Sequence, residues 1–266
     1  MSRIPNYSTL GAGPMVLFLH GIGGGHLAFA PQLETLAEAG FRAVAWDMPG
    51  YGHSDPIEPY TFKGLAEKCI ALIEALASRH DRQVSLVGHS MGGMVAQEVM
   101  VRRADLVRQL VLCGTSPAFG KADGDWQRRF IEQRMAPLQE GQTMAEVARR
   151  LVPAMAGPRA LPEGLRLAEH CMSGVSPGTY RRALEALVTF DRRAELGQIA
   201  APTLLVAGEN DPNAPPDVMR QMGERILGSR TVVMPGIGHL MNLESPDEFD
   251  RLLINFLREN HSWVRH

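Results

Sequence analysis

The 266-residue chain is 45% hydrophobic, enough for one sizeable core, and α/β folds of this length often form a single unit. A formal net charge of -2 offers neither the basic footprint that nucleic acid requires nor a polybasic patch for a membrane surface. No apolar run approaches the roughly 20 residues that span a bilayer, and the opening MSRIPNYSTLGAGP lacks the charged and then apolar pattern of a secretory signal.

Along the chain, short apolar runs bounded by glycine or proline recur at Met15 to Leu19, Arg42 to Trp46, Val84 to Val87, Leu110 to Cys113, Thr203 to Ala207 and Thr231 to Met234. They predict buried parallel strands. Helical spacing over Pro31 to Ala39, Phe62 to Ser78, Met91 to Arg103 and Asp217 to Leu227 alternates with them, which predicts a mostly parallel sheet covered on both faces. From Ser116 to Leu196 the pattern changes: arginine-rich helical stretches are broken by Pro137, Pro153, Pro158, Pro162 and Pro177, as in an inserted subregion. Ser245 and Pro246 then open an amphipathic closing helix carrying Phe249, Leu252, Leu253, Phe256 and Leu257 on one face. Cys69, Cys113 and Cys171 are odd in number and lack metal-type spacing, so neither a disulfide framework nor a zinc site is expected, and a reducing cytoplasm is. Cys113, inside VRQLVLCG, reads as a buried, inert thiol.

The strand ending at Val87 runs into Gly88-His89-Ser90-Met91-Gly92 and then into a helix, the context of a nucleophile elbow. A sharp turn there holds the Ser90 hydroxyl out at the carboxyl end of the sheet, while Gly88 and Gly92 leave room for neighbouring backbone. The helix beginning at Met91 presents free N–H groups beneath it, so the Met91 N–H is a candidate oxyanion donor. A second candidate, the Ile22 N–H, follows the first apolar strand in His20-Gly21-Ile22-Gly23-Gly24-Gly25, where the glycine run leaves the choice open by a residue. Serine needs a base whose tautomer a third group fixes. Asp211 and His239 each lie just past a predicted strand end, where such sheets gather ligands, and in the order serine, acid, histidine; Glu209 is the alternative acid.

Five segments in register, His20-Gly21, Asp47 to Ser54, Gly88 to Gly93, Gly208 to Pro212 and Gly238 to Glu244, resemble the α/β-hydrolase superfamily over nearly the whole chain. The resemblance implies a core of residues 1–115 and 197–266 with a helical cap, 116–196, roofing the pocket. It also implies chiefly structural roles for Asp47, His53 and Ser54. Relatives usually begin with a two-stranded hairpin, whereas about Asn6 to Leu10 remains here, so the first strand is expected to be missing or very short. Spacing and cap length are most similar to small esterases and lactonases of the 3-oxoadipate enol-lactonase group. That similarity implies hydrolysis of a small-molecule ester or lactone with no metal or organic cofactor.

Two other readings stay open. Carbon–carbon bond hydrolases of the meta-cleavage type share the triad but often carry tryptophan after the histidine and asparagine before the serine, where this chain has Leu240 and His89. Small-molecule receptors on the same fold keep the triad and turn over slowly. In the cap, Phe119, Trp126, Phe130, Met135, Met144, Met155, Met172, Tyr180 and Phe190 either line an acyl pocket or pack the cap onto the sheet, helical spacing favouring packing. Trp126, Met144, Tyr180 and Leu240 are the chosen pocket candidates. The pairs Arg128-Arg129, Arg149-Arg150 and Arg181-Arg182 could hold a substrate carboxylate, but their balance with acidic residues favours solvated helix faces.

Overall fold

A computed structural model describes residues 4–77, 82–120 and 124–259. The strands are β1 (Tyr7–Leu10), β2 (Met15–Leu19), β3 (Arg42–Trp46), β4 (Val84–His89), β5 (Val107–Cys113), β6 (Thr203–Gly208) and β7 (Arg230–Met234). They form one sheet in the order β1-β3-β2-β4-β5-β6-β7, with β1 antiparallel to β3 and all other pairs parallel. Of the expected two-stranded opening, one four-residue strand is present among the described residues, and it shields the edge of β3. β5 begins three residues earlier than its apolar run implies. The polar Gln109 is accommodated because it accepts from Ser85 Oγ at 2.6 Å and donates to the Leu257 carbonyl at 3.0 Å.

Side-chain alternation divides the sheet's burial between two cores. Val16 and Phe18 of β2 face α1 (Ala30–Glu38), whose Leu33 and Leu36 share a cluster with them. Leu17 and Leu19 face the opposite side, where α2 (Phe62–Leu76) supplies Leu65 and Leu72 and α3 (Met91–Arg103) supplies Val95 and Val99. Thr61 starts α2 by accepting the Gly64 N–H at 3.2 Å. The predicted terminus of that helix, Ser78, lies outside the described residues.

Between β5 and β6 run four helices, α4 (Gly124–Gln139), α5 (Met144–Met155), α6 (Pro162–Ser173) and α7 (Pro177–Leu187). Pro162 and Pro177 open α6 and α7, where proline's missing N–H costs nothing. Pro137 and Pro153 do not break their helices as expected from sequence. Each falls two residues from the end of α4 or α5, so little helix remains beyond it to disrupt. The two ends of this insertion meet side by side, Phe119 N–H donating to Phe190 O at 2.9 Å and Arg192 N–H to Pro117 O at 2.7 Å. Arg192 then pairs at 2.5 Å with the fully buried Glu98 of α3, which also holds Arg102.

The chain continues through α8 (Pro216–Arg225), α9 (Met241–Glu244) and α10 (Pro246–Glu259). Phe249, Leu253, Phe256 and Leu257 bury one stripe of α10 in the same cluster as α1. No helix among the described residues is long and apolar enough to cross a membrane.

Candidate active site

Chain order in the sheet reverses between β2 and β4, so the connections leaving their carboxyl ends run to opposite faces and leave a crevice between them. The loops after β2, β4, β5, β6 and β7 all open there. A cavity of about 130 Å³ lies between them and helices α4 to α7, lined by Ile22, Ser90, His239 and Leu240 from the sheet side and by Phe119, Phe130, Leu151, Met155, Met172 and Tyr180 from the insertion.

Ser90 follows β4 with φ 53° and ψ −120°, the one non-glycine residue with positive φ among the described residues. Such backbone costs on the order of 1–3 kcal/mol and persists only where surroundings enforce it. Here the Ser90 N–H donates to Cys113 O at 2.9 Å, and Thr115 Oγ1 donates to Ser90 O at 2.8 Å. The flanking glycines are sterically required: a Cβ on Gly92 would sit 2.0 Å from Leu19 O, and one on Gly88 would sit 2.6 Å from Gly92 O. Met91 begins α3, so its N–H has no partner within the helix.

His239 and Asp211 form a buried pair, Nδ1 to Oδ2 at 2.8 Å. The carboxylate accepts only, so Nδ1 carries the proton and Nε2 is left as a base. Asp211 Oδ1 accepts the N–H groups of Asn213 and Ala214 at 2.8 and 3.0 Å. Burial pushes the Asp211 carboxyl up, but facing His239 and these donors outweigh it and hold its pKa below the ordinary value. Glu209 is turned elsewhere: it accepts the Gly236 N–H at 2.7 Å in an exposed position.

Groups outside the expected set hold this arrangement. His89 Nε2–H donates to the His239 carbonyl at 2.7 Å, and burial lowers its pKa from 6.5 to about 3, so the ring is neutral. His20 accepts the Met48 N–H on Nε2 at 2.9 Å and donates from Nδ1 to Gly21 O at 2.8 Å; burial lowers its pKa to about 4. The Gly24 N–H binds the same carbonyl at 3.0 Å, so the Gly21–Ile22 peptide is fixed and its N–H lies on the opposite edge. Glu244, fully buried, accepts three backbone N–H groups: Gly157 at 2.8 Å, Gly238 at 2.7 Å and Leu240 at 2.8 Å. The histidine loop is thus stitched to the segment after α5, where Met155 O also accepts the His239 N–H at 2.8 Å.

Of the four pocket candidates, Tyr180 and Leu240 line the cavity, while Trp126 and Met144 do not. Trp126 stacks on Phe130 with centroids 5.3 Å apart and an interplanar angle of 13°, so Phe130 stands between it and the cavity wall. Met144 is buried at the start of α5, packing that helix. The arginine pairs contribute no lining residue: Arg128 pairs with Asp125 and Arg181 with Glu185. A different arginine, Arg134, does line it. Asp47 and Ser54 are structural: Asp47 accepts from Asn6 Nδ2 and the His26 backbone, and Ser54 Oγ donates to Asp47 O at 2.7 Å. Cys113 is buried, which pushes its thiol up, and Cys171 lines the cavity with its thiol pushed up to about 11 by burial.

The model of the alpha/beta hydrolase family matches residues 16–252. The chain belongs to that family. This α/β-hydrolase is 30% identical over 259 residues to serine hydrolase BPHL of Mus musculus, covering 95% of this chain and 82% of that one. An esterase from Thermogutta terrifontis superimposes with a TM-score of 0.85 at 25% identity, over 97% of this chain and 94% of its own. The enol-lactonase from Burkholderia xenovorans LB400 shares the fold, with a TM-score of 0.83 at 24% identity over 95% and 96% of the two chains.

Proposed function

We propose that this α/β-hydrolase cleaves a carboxylic ester or lactone of a small molecule through an acyl-enzyme on Ser90. The observation that carries the reading is the buried His239–Asp211 pair at 2.8 Å, whose histidine lines the same cavity as the strained Ser90 elbow. The likeness to an esterase and to a serine hydrolase supports it. In this reading residues 116–196 are the cap over a core of 1–115 and 197–266, and the three unpaired cysteines suit a reducing cytoplasm.

His239 Nε2 takes the Ser90 proton as Oγ attacks the carbonyl carbon, and the N–H groups of Met91 and Ile22 hold the oxyanion. Collapse of the tetrahedral intermediate breaks the bond to the leaving oxygen, which receives the proton from His239. Water then attacks the acyl carbon, giving its proton to His239, and Ser90 recovers its proton as the acid departs. Throughout, Asp211 stays ionised and stabilises the imidazolium; its depressed pKa fits that role.

Stopped-flow hydrolysis of p-nitrophenyl esters of increasing acyl length by wild type and Ser90→Ala tests the proposal. Sustained turnover by wild type, reduced roughly 10⁶-fold in the variant, is the expected result. Undiminished turnover by Ser90→Ala would remove Ser90 as nucleophile, and one slow burst without turnover would replace the hydrolase by a receptor.

A further inference from the structure

Among the described residues, Arg134 is the one Asp, Glu, Lys or Arg in a cavity wall otherwise built mainly of apolar side chains. Its guanidinium carbon lies 5.4 Å from the centroid of the Phe130 ring, which lines the same cavity. The charges of Arg134 and Arg150 both act on the phenol of Tyr180, a third lining residue, countering the upward push of burial on that hydroxyl. The head group therefore lies over the ring one turn back along α4, a ring that itself lines the chamber.

Two other arginines of the insertion pair within their own helix. Arg128 has Asp125 three residues before it, and Arg181 has Glu185 four residues after. Around Arg134 the corresponding positions are Phe130, Ile131, Pro137 and Leu138, none of which can pair with it. No carboxylate among the described residues lies within ion-pair distance of it. A planar cation beside an apolar chamber, lying over an aromatic face and without a carboxylate partner among the described residues, has donors free for a carboxylate.

We propose that Arg134 sets substrate specificity by binding a carboxylate remote from the scissile carbonyl, so that the preferred substrates are anionic monoesters of dicarboxylic acids. This deepens the hydrolase reading above and rests on it for the chemistry at Ser90. The carboxylate engages the guanidinium at the insertion side while the ester carbonyl reaches Ser90 at the sheet side, and the apolar wall covers the methylenes between them.

The test uses monomethyl esters of straight-chain dicarboxylic acids from succinic to sebacic, each beside the methyl ester of the monocarboxylic acid of equal length. The ratio of kcat/KM, charged over neutral, is measured for wild type, Arg134→Gln and Arg134→Lys. Calorimetric binding of the free dicarboxylates, which need no turnover, is measured alongside. At the best chain length wild type should favour the charged ester roughly tenfold to hundredfold. Arg134→Gln should collapse that ratio, Arg134→Lys should restore part of it, and dicarboxylate binding should weaken in step. A wild-type ratio of one or less at every length overturns the proposal, as does a ratio or a binding constant that Arg134→Gln leaves unchanged. If no ester turns over yet the dicarboxylate binds through Arg134, the carboxylate site stands and the hydrolase reading falls.

Discussion

Replacing Glu244 should reveal how firmly the histidine loop depends on one buried carboxylate. Its Oε2 accepts two N–H groups, from Gly157 and Gly238, and its Oε1 accepts one, from Leu240. Glutamine keeps the shape but has a single acceptor. It should therefore rotate its oxygen to the doubly bonded side and turn its NH₂ toward the Leu240 N–H, exchanging one charge-assisted bond for a donor facing a donor. Bonds to charged groups contribute about 1.5–3 kcal/mol and a stranded buried donor costs about 1–3 kcal/mol, so Glu244→Gln should lose about 3 kcal/mol. Glu244→Ala strands all three donors and should lose at least about 5 kcal/mol, which approaches the whole stability of an ordinary domain. Denaturant titration followed by circular dichroism measures both. At the usual scaling for a chain of this size, Glu244→Gln should also melt roughly 6–12 °C lower. A Glu244→Gln protein within about 0.5 kcal/mol of wild type would refute the argument, since it would mean that the three N–H groups find other partners at no cost.

Asp211→Asn should lower kcat by about 10⁴ without unfolding the chain, while Glu209→Gln, remote from His239, should change it less than about threefold; steady-state kinetics of the two variants would expose a wrong acid assignment. His20 and His89 are lowered from 6.5 to about 4 and about 3, so the unfolded chain binds protons there that the folded chain refuses. Stability is complete above about pH 6.5 and should fall by roughly 2–3 kcal/mol per pH unit between about pH 6 and pH 4, a slope that His89→Gln should about halve in pH-dependent denaturant melts. Gly92→Ala places a Cβ 2.0 Å from Leu19 O and should cost at least about 3 kcal/mol together with most activity; a fully active, equally stable variant would show that the elbow can relax away from β2.

What the sequence discloses and what it conceals follow a physical line. The strands were legible because parallel strands buried on both faces are apolar runs, and the loops carrying Ser90, Asp211 and His239 were legible because each directly follows such a run. Glu244 belonged to a recognisable segment, yet nothing local says that a carboxylate after Leu243 is desolvated and binds Gly157, 87 positions away. His89 occupied a variable position of the elbow, and its bond to the His239 carbonyl spans 150 positions. Pocket residues were the least legible. Trp126, Phe130 and Arg134 lie on the same helix at spacings of four, and that periodicity marks a shared face without saying which of its members reaches the cavity and which packs behind it.

The distribution of bonds between insertion and core suggests where specificity can vary without loss of catalysis. The end of α5 and the segment after it are fastened to the histidine loop by Met155 O, Gly157 N–H and the Leu161 N–H on Glu244 O at 3.0 Å, and Arg159 adds bonds to Gly236 O at 3.0 Å and Pro235 O at 2.7 Å. Moving α5 therefore drags His239 with it. The base of the insertion is likewise fixed, through Arg192 on the buried Glu98 of α3, the helix that follows Ser90. Among the described residues α4 packs chiefly on α7 and α5, and Gln127 Nε2 donates to Val188 O at the base of the insertion at 3.2 Å. The helix that carries Phe130 and Arg134 is thus the part of the cavity wall whose side chains can change with the least consequence for the loops that hold Ser90, His239 and Asp211.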